Sequence, residues 1–369
     1  MTADRPDIAG ARRVVVKVGS SSLASATGGL DAVRVAALVD GVAGRHAAGA
    51  EVIVVSSGAI AAGLAPLGLR RRPRDLVTLQ AAASVGQSRL VEAYATSFAR
   101  YGTTVAQVLL TVEDVVRRAH YRNARRALER LLQLRVVPVV NENDAVATEE
   151  IRFGDNDRLA ALVAHLVHAD ALILLSDVDG LYDADPVDAD ARLIAVVGDE
   201  TELPDIGPGR PGPAALGTGG MASKIDAVRV AIGAGIPVVL AQAGAVHAAL
   251  AGEPVGTYFA PTGRRTASRL LWLAHASAPN GRLVLDEGAV RAVVTRRASL
   301  LPIGVTGVEG EFAAGDPVEL VGPDGQAVAR GLVAYDAGEL ASMLGRPTGE
   351  LGPDQQRELV HRDDLVLLP

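Results

Sequence analysis

Residues 136–157 read Val136-Val137-Pro138-Val139-Val140-Asn141-Glu142-Asn143-Asp144-Ala145-Val146-Ala147-Thr148-Glu149-Glu150-Ile151-Arg152-Phe153-Gly154-Asp155-Asn156-Asp157. The apolar run Val136–Val140 has the near-continuous, β-branched character of a strand buried on both faces. It gives way at once to a loop dense in carboxylates (Glu142, Asp144, Glu149, Glu150, Asp155, Asp157) and carboxamides (Asn141, Asn143, Asn156). Beyond it, Leu159, Leu162, Val163, Leu166 and Val167 fall at the i, i+3, i+4, i+7, i+8 spacing of a half-buried helix. Buried strand, polar loop and helix in that order form the unit of a parallel sheet covered by helices on both faces. Ligands of such sheets lie beyond the carboxyl ends of the strands. Packing does not call for that many carboxylates on one loop. A cationic group, a metal or a polar substrate does.

The same pattern extends in both directions. Val14–Val18, Glu51–Val55, Ala171–Leu175 and Ile236–Ala241 read as further buried strands. Asp31 is placed to cap a helix running to about Ala48, which Gly49 ends, and a second helix is expected over about Val115–Leu134. The fold class is therefore α/β, three layers with a mainly parallel central sheet. The character changes after about Leu273. Ser277-Ala278-Pro279-Asn280-Gly281 reads as a linker or turn, followed by strand-like runs at Arg282–Leu285, Ala292–Thr295, Val318–Val321 and Ala327–Val333. Pro323-Asp324-Gly325 between the last two is a hairpin signal. This predicts a small, mostly β domain at the C-terminal end.

Composition narrows the function classes. With 369 residues the chain can hold more than one domain, and its net charge of -7 forces neither nucleic acid nor an acidic membrane as partner. There is no cysteine, which removes disulfides, thiol nucleophiles and thiolate metal sites, and suits a reducing cytoplasm. Met1–Arg13 lacks the apolar core of a signal peptide, and no apolar run nears the roughly 20 residues of a membrane span. A soluble protein with no membrane partner is expected. Residues 281–369 carry 8 Lys+Arg against 14 Asp+Glu. Phosphate backbones are met by basic surfaces, so this balance argues against RNA as a partner, although Arg291, Arg296 and Arg297 could form a local basic face.

Four motifs carry chemistry. Lys17 ends the first strand and is followed by Val18-Gly19-Ser20-Ser21-Ser22, a cation beside backbone N–H groups and hydroxyls that suits a phosphate. A lysine extending out of an edge strand is the plainer reading. Neither the Walker A spacing nor the G-x-G-x-x-G fingerprint is present. Ser56-Ser57-Gly58-Ala59-Ile60-Ala61-Ala62-Gly63 is uniformly small, which permits close approach of a ligand or of another element. Gly217-Thr218-Gly219-Gly220-Met221-Ala222-Ser223-Lys224 opens a helix whose apolar stripe is Met221, Ile225, Val228 and Ile232. Lys224 then sits near the positive end of the helix dipole, which disfavours it unless an anion binds there. Ser176-Asp177-Val178-Asp179-Gly180-Leu181-Tyr182 follows a strand; Asp177 and Asp179 could cap backbone N–H groups, bind ribose or ligate Mg²⁺, and a turn role covers at least Asp179. The histidines form no metal-like group; His165 and His168 read as cap or surface residues.

Together, Val14–Ser20, Ser56–Gly63, Asn141-Glu142-Asn143-Asp144, Gly154-Asp155-Asn156-Asp157, Ser176–Tyr182 and Gly217–Lys224 resemble the amino acid kinase family, and most closely its glutamate 5-kinases. The resemblance covers nearly the whole chain. It implies an amino acid kinase domain over 1–275 and a PUA barrel over 281–369. It implies ATP-dependent phosphorylation of the L-glutamate γ-carboxylate, the first step of proline biosynthesis, with Mg²⁺, with L-proline as feedback inhibitor and with assembly as a homo-oligomer, dimer or tetramer. By position, Lys17, Lys224 and Asp157 match the catalytic set, and Ser57, Asp144 and Asn156 match the substrate contacts. Lys17, Ser176, Asp177, Thr218, Gly219, Gly220, Met221, Ala222, Ser223 and Lys224 match the nucleotide contacts. Other amino acid kinases, acting on acetylglutamate, carbamate or aspartate, remain alternatives at this point, as does an RNA-binding PUA protein.

Overall fold

The main sheet grows outward from β1 (Arg13–Val18), which lies between β2 (Glu51–Ser56) and β5 (Ala171–Ser176) and runs parallel to both. The computed structural model describes residues 4–25, 29–111, 114, 118–146, 156–184, 191–198, 203, 220–261, 279–346, 352 and 358–368. It divides into two compact units, residues 1–265 and 266–369.

In the first unit, β3 (Val105–Leu110), β4 (Val137–Glu142), β6 (Val196–Val197), β7 (Val238–Gln242) and β8 (Thr257–Phe259) complete an eight-stranded sheet, order β3-β4-β2-β1-β5-β7-β8-β6. β8 pairs antiparallel to β7, and β6 runs parallel to β8; the other pairs are parallel. The apolar runs form strands because both faces are covered. Val14, Val16, Val54 and Ile173 share one core with residues of α3 (Ala32–Ala47), α5 (Leu76–Ala99) and α9 (Val246–Ala251), among them Leu38, Val42, Leu90, Phe98 and Leu250. The alternate residues Val15, Ile53, Leu172 and Leu174 are equally buried on the other face, which α7 (Asn156–Leu166) and α8 (Met221–Gly233) cover. The remaining helices of this unit are α1 (Pro6–Ala9), α2 (Ser20–Leu23), α4 (Ala59–Leu64) and α6 (Arg118–Gln133).

Asp31 caps α3 as expected, accepting from the N–H groups of Val33 and Arg34, an arrangement worth about 1 kcal/mol. α5 is capped likewise by Asp75 and has no counterpart in the expected elements. It crosses α4 at very short range. A Cβ on Gly63 would lie 1.9 Å from the Ala82 carbonyl oxygen, and one on Gly86 would lie 1.7 Å from that of Ala59. The small-residue run after β2 therefore serves a helix–helix contact from Ala59 onward, while Gly58 turns the chain at φ +107°.

The second unit is a five-stranded sheet, order β10-β9-β11-β12-β13, made of β9 (Gly281–Leu285), β10 (Val305–Gly310), β11 (Pro317–Val321), β12 (Ala327–Val333) and β13 (Val360–Leu367). The hairpin at Pro323-Asp324-Gly325 is present, with Gly325 at φ +79° and Asp324 accepting from the Gln326 N–H. Ala292–Thr295, expected as a strand, instead ends α10 (Glu287–Val294). Asp286 caps that helix through the Ala289 N–H at 2.7 Å, and of the apolar pair only Val293 is fully buried. A short apolar run of that kind does not by itself separate strand from helix. α11 (Ala337–Ala341) follows a capping box of Asp336 and Glu339.

Candidate active site

Parallel pairing brings the carboxyl ends of the central strands to one edge. Lys17 stands opposite Val55 and Leu174, and Val18 opposite Ser56 and Leu175. Asn141 is the next-to-last residue of β4, and Ser176 ends β5. The Ser57 N–H donates to the Val18 carbonyl at 3.1 Å, which ties the two chains together just past the sheet. Sequence-distant motifs therefore meet at the edge where α/β sheets bind ligands.

Asp157 is the charged centre. It sits in the first turn of α7 with no exposed surface, and its two oxygens take different lysines. Oδ1 pairs with Lys17 Nζ, and Oδ2 lies 3.2 Å from Lys224 Nζ. Lys17 is 2% exposed and Lys224 7%. A charge buried alone costs several kcal/mol, so these three groups depend on one another. The N-terminus of α7 adds to the stabilisation of the carboxylate. Lys17 is thus no lysine escaping an edge strand; it is interior. Lys224, the fourth residue of α8, finds in Asp157 an anion to offset its unfavourable place near a helix N-terminus. Two lysines facing one aspartate concentrate positive charge at the end of the sheet, which suits a site for an anion.

Beside this cluster runs a chain of amides. The two N–H groups of Asn156 Nδ2 are shared among three acceptors, the Ser56 carbonyl at 3.2 Å, Ser57 Oγ at 2.8 Å and Asn141 Oδ1 at 2.8 Å. Asn141 Nδ2 in turn donates to Gln87 Oε1 at 2.8 Å. A main-chain carbonyl can only accept, so its contact with Asn156 fixes which end of that side chain is nitrogen and, through it, the polarity of the whole chain. A second contact joins Tyr94 OH to Ser56 Oγ at 2.8 Å, and Ser56 Oγ donates to the Ser57 carbonyl at 3.0 Å. Tyr94 is fully buried, and burial pushes its phenol well above the usual tyrosine range.

The expected site residues therefore fall into groups. Lys17, Asp157 and Lys224 are in contact, and so are Ser57 and Asn156. Asp144 is half-buried on the turn that follows β4. Ser176 and Asp177 lie at the end of β5, joined by a 3.0 Å hydrogen bond from Ser176 Oγ to Asp177 Oδ1. Gly220, Met221, Ala222 and Ser223 form the entry to α8, with Ser223 Oγ donating to the Gly220 carbonyl. Thr218 and Gly219 lie outside the described residues, as do Glu149, Glu150 and Asp155. Asp179 accepts from the Tyr182 hydroxyl, in keeping with a turn role. His165 is buried rather than at the surface, because α7, expected as half-buried, is buried all round except at Arg158, and His168 takes the left-handed conformation (φ 53°) two residues past the helix. Gln87 and Tyr94 had not been anticipated. Their signal was present as polar side chains on the stripe Leu79, Ala83, Gln87, Leu90, Tyr94, Phe98 of a helix that was itself not recognised.

Comparisons with known proteins show which family the chain resembles over its length. Residues 12–242 match the amino acid kinase family, and residues 281–351 match the PUA domain. The glutamate 5-kinase of Frankia casuarinae is 64% identical over 368 residues, covering 99% of both chains. That of Streptomyces coelicolor is 63% identical with both chains covered fully, and that of Rhodococcus opacus 58% identical, also with both covered fully. Among solved structures, the UMP kinase of Bacillus anthracis aligns at 15% identity with a TM-score of 0.46, covering 69% of this chain and 97% of that one.

Proposed function

The chain belongs to the amino acid kinase family, among its glutamate 5-kinases, and from that premise we propose that Lys17 and Lys224, aligned by Asp157, carry the γ-phosphoryl group of ATP to the γ-carboxylate of L-glutamate. The observation that carries this reading of the residues is the buried Lys17–Asp157–Lys224 cluster.

The chemistry suits it. A glutamate side chain has a pKa of about 4.3 and is already an anion at neutral pH, so attack on phosphorus needs no general base. The obstacle is the mutual repulsion of two anions, and phosphoryl transfer is catalysed chiefly by positioning and charge neutralisation. Lys17, rigid at the end of β1, and Lys224, at the mouth of α8, approach the transferred group from different elements. Asp157 holds both ammonium groups in place without itself touching the phosphoryl group. Ser57, Asn156 and Asp144 hold glutamate, and Ser176, Asp177 and residues 218–224 hold the nucleotide.

Mg²⁺ would be held chiefly by the phosphate oxygens of the nucleotide. Both Asp157 oxygens are taken by lysines, and the described residues contain no cluster of three or more potential ligands. Bound there, it would add to the neutralisation of phosphate charge. We place the kinase domain at 1–275 and the PUA domain at 281–369, supported by the compact units 1–265 and 266–369 and by the PUA match at 281–351. Feedback by L-proline, assembly as a dimer or tetramer and a cytoplasmic location belong to the same reading. No helix among the described residues is long and apolar enough to cross a membrane.

The test is a substrate panel with ATP, read as acyl phosphate trapped by hydroxylamine. Hydroxamate is expected with L-glutamate and not with acetylglutamate, aspartate or carbamate. Equal turnover of acetylglutamate would overturn the choice of acceptor.

A further inference from the structure

Two side chains of α5 reach the glutamate-binding loop without belonging to it. Gln87 and Tyr94 are seven residues apart, hence on one face of the helix, and both point inward: Gln87 is 8% exposed and Tyr94 not at all. Each begins a hydrogen-bonded chain, and both chains end on the dipeptide Ser56-Ser57. From Gln87 the chain passes through Asn141 and Asn156 to the Ser56 carbonyl and Ser57 Oγ. From Tyr94 it passes through Ser56 Oγ to the Ser57 carbonyl. A serine hydroxyl has one proton. Since Ser56 Oγ gives its proton to the Ser57 carbonyl, Tyr94 must donate to Ser56 Oγ. The direction of both chains is therefore fixed by main-chain carbonyls at their ends.

We propose that Gln87 and Tyr94 are positioning residues for glutamate: α5 clamps the Ser56-Ser57 turn at two points and thereby sets the orientation of Ser57 and Asn156. This deepens the reading of the function given above and rests on it. If Gln87 Oε1 is removed, the Asn141 amide is free to turn over, which brings its N–H₂ against that of Asn156. Asn156 cannot answer by turning as well, because the Ser56 carbonyl needs its nitrogen. If the Tyr94 hydroxyl is removed, Ser56 Oγ loses its only described donor, and the turn keeps one clamp in place of two. Neither change touches the lysine cluster or the elements that hold the nucleotide. The signature of positioning is therefore a loss confined to glutamate.

The variants are Tyr94→Phe and Gln87→Met in the full chain, assayed by steady-state kinetics in both substrates together with thermal unfolding. Each removes one hydrogen bond on which a substrate contact depends, so KM for glutamate should rise about tenfold, with kcat and KM for ATP within about twofold. A purely structural role would lower the unfolding midpoint and leave glutamate KM where it was, and that result in both folded variants overturns the proposal. An equal rise in the KM for ATP overturns it too. Should Gln87→Met fail to fold, Tyr94→Phe, which keeps the ring and its packing, decides alone. A wild-type chain inert toward glutamate would overturn the functional reading and the clamp with it; an active wild type with indifferent variants overturns the clamp only.

Discussion

Replacing Asp157 by asparagine separates the charge of this side chain from its shape. Asp157 is fully buried and touches both lysines, so the variant leaves two interior ammonium groups facing an amide. At the 3.2 Å separation from Lys224, and with an effective dielectric constant of about 20, the lost attraction is about 5 kcal/mol. The contact with Lys17 contributes at least as much. Desolvation of all three groups cancels a large part, and removing one partner of a buried ion pair costs about 3–5 kcal/mol in practice. For a domain of this size each kcal/mol moves the unfolding midpoint by about 2–4 °C, so Asp157→Asn should unfold about 6–20 °C lower than the wild type. Saturating ATP should restore more stability to the variant than to the wild type, because the nucleotide supplies the missing negative charge and binds only the folded state. Adding Lys17→Met to Asp157→Asn should recover part of the loss, since the pair then no longer leaves two uncompensated cations; the effects of contacting residues do not add. Calorimetry of the wild type, Asp157→Asn and the double variant, with and without nucleotide, is the assay. An unchanged midpoint in Asp157→Asn, or a further fall on adding Lys17→Met, refutes the charge-cluster account.

The remaining predictions address other parts of the molecule. Lys224→Ala should lower turnover by about 10²–10³, the scale of losing one group that stabilises transition-state charge, with the circular dichroism spectrum retained; near-normal turnover removes Lys224 from its assigned role. Gly63→Ala should destabilise the kinase unit by about 1–3 kcal/mol in urea unfolding, because the new Cβ falls 1.9 Å from the Ala82 carbonyl oxygen and α4 must move off α5. His46 is held below the ordinary histidine range by burial and then by the charge of Arg135. Its folded form therefore binds fewer protons than the unfolded chain once the pH drops below about 6.5, and stability should fall with falling pH in that window. His46→Gln should flatten that part of the urea-midpoint profile between pH 7 and 5.5, and identical profiles would count against the effect.

The strands of the main sheet were legible because parallel strands buried on both faces write themselves as apolar runs, and β1, β2, β4 and β5 do so. α5 was not, although it is the longest helix described, with 24 residues. Its exposed side carries Val77, Ala81, Ala95 and Ala99, so the contrast between inner and outer faces that reveals a helix is weak. Missing α5 hid Gln87 and Tyr94, and it also hid the reason for Gly63. Ala292–Thr295 went the other way, a helical end that looked like a strand until the Asp286 cap was seen. From the residues alone Lys17 and Lys224 stood out separately, and only the family resemblance joined them to Asp157. What joins them is strand order: β5 inserts next to β1, and the helix that enters it, α7, brings Asp157 to the end of β1.

That topology also sorts the described carboxylates and carboxamides of the segment 141–157, which form no metal-binding cluster among the described residues. Among its described members the work is divided by partner. Asn141 and Asn156 are engaged with each other and with α5, which makes them part of a rigid hydrogen-bonded wall. Asp157 faces the opposite way, into the lysines, and is neutralised twice over. On the proposed roles, an acceptor carboxylate approaching that wall meets two lysines that share one aspartate. A second buried carboxylate on the same lysines would cancel the field that draws the two anionic substrates together, and a cluster without Asp157 would place two cations side by side in the interior. One acid shared by two bases compensates both buried lysines while leaving positive charge for the phosphoryl group in the proposed transfer.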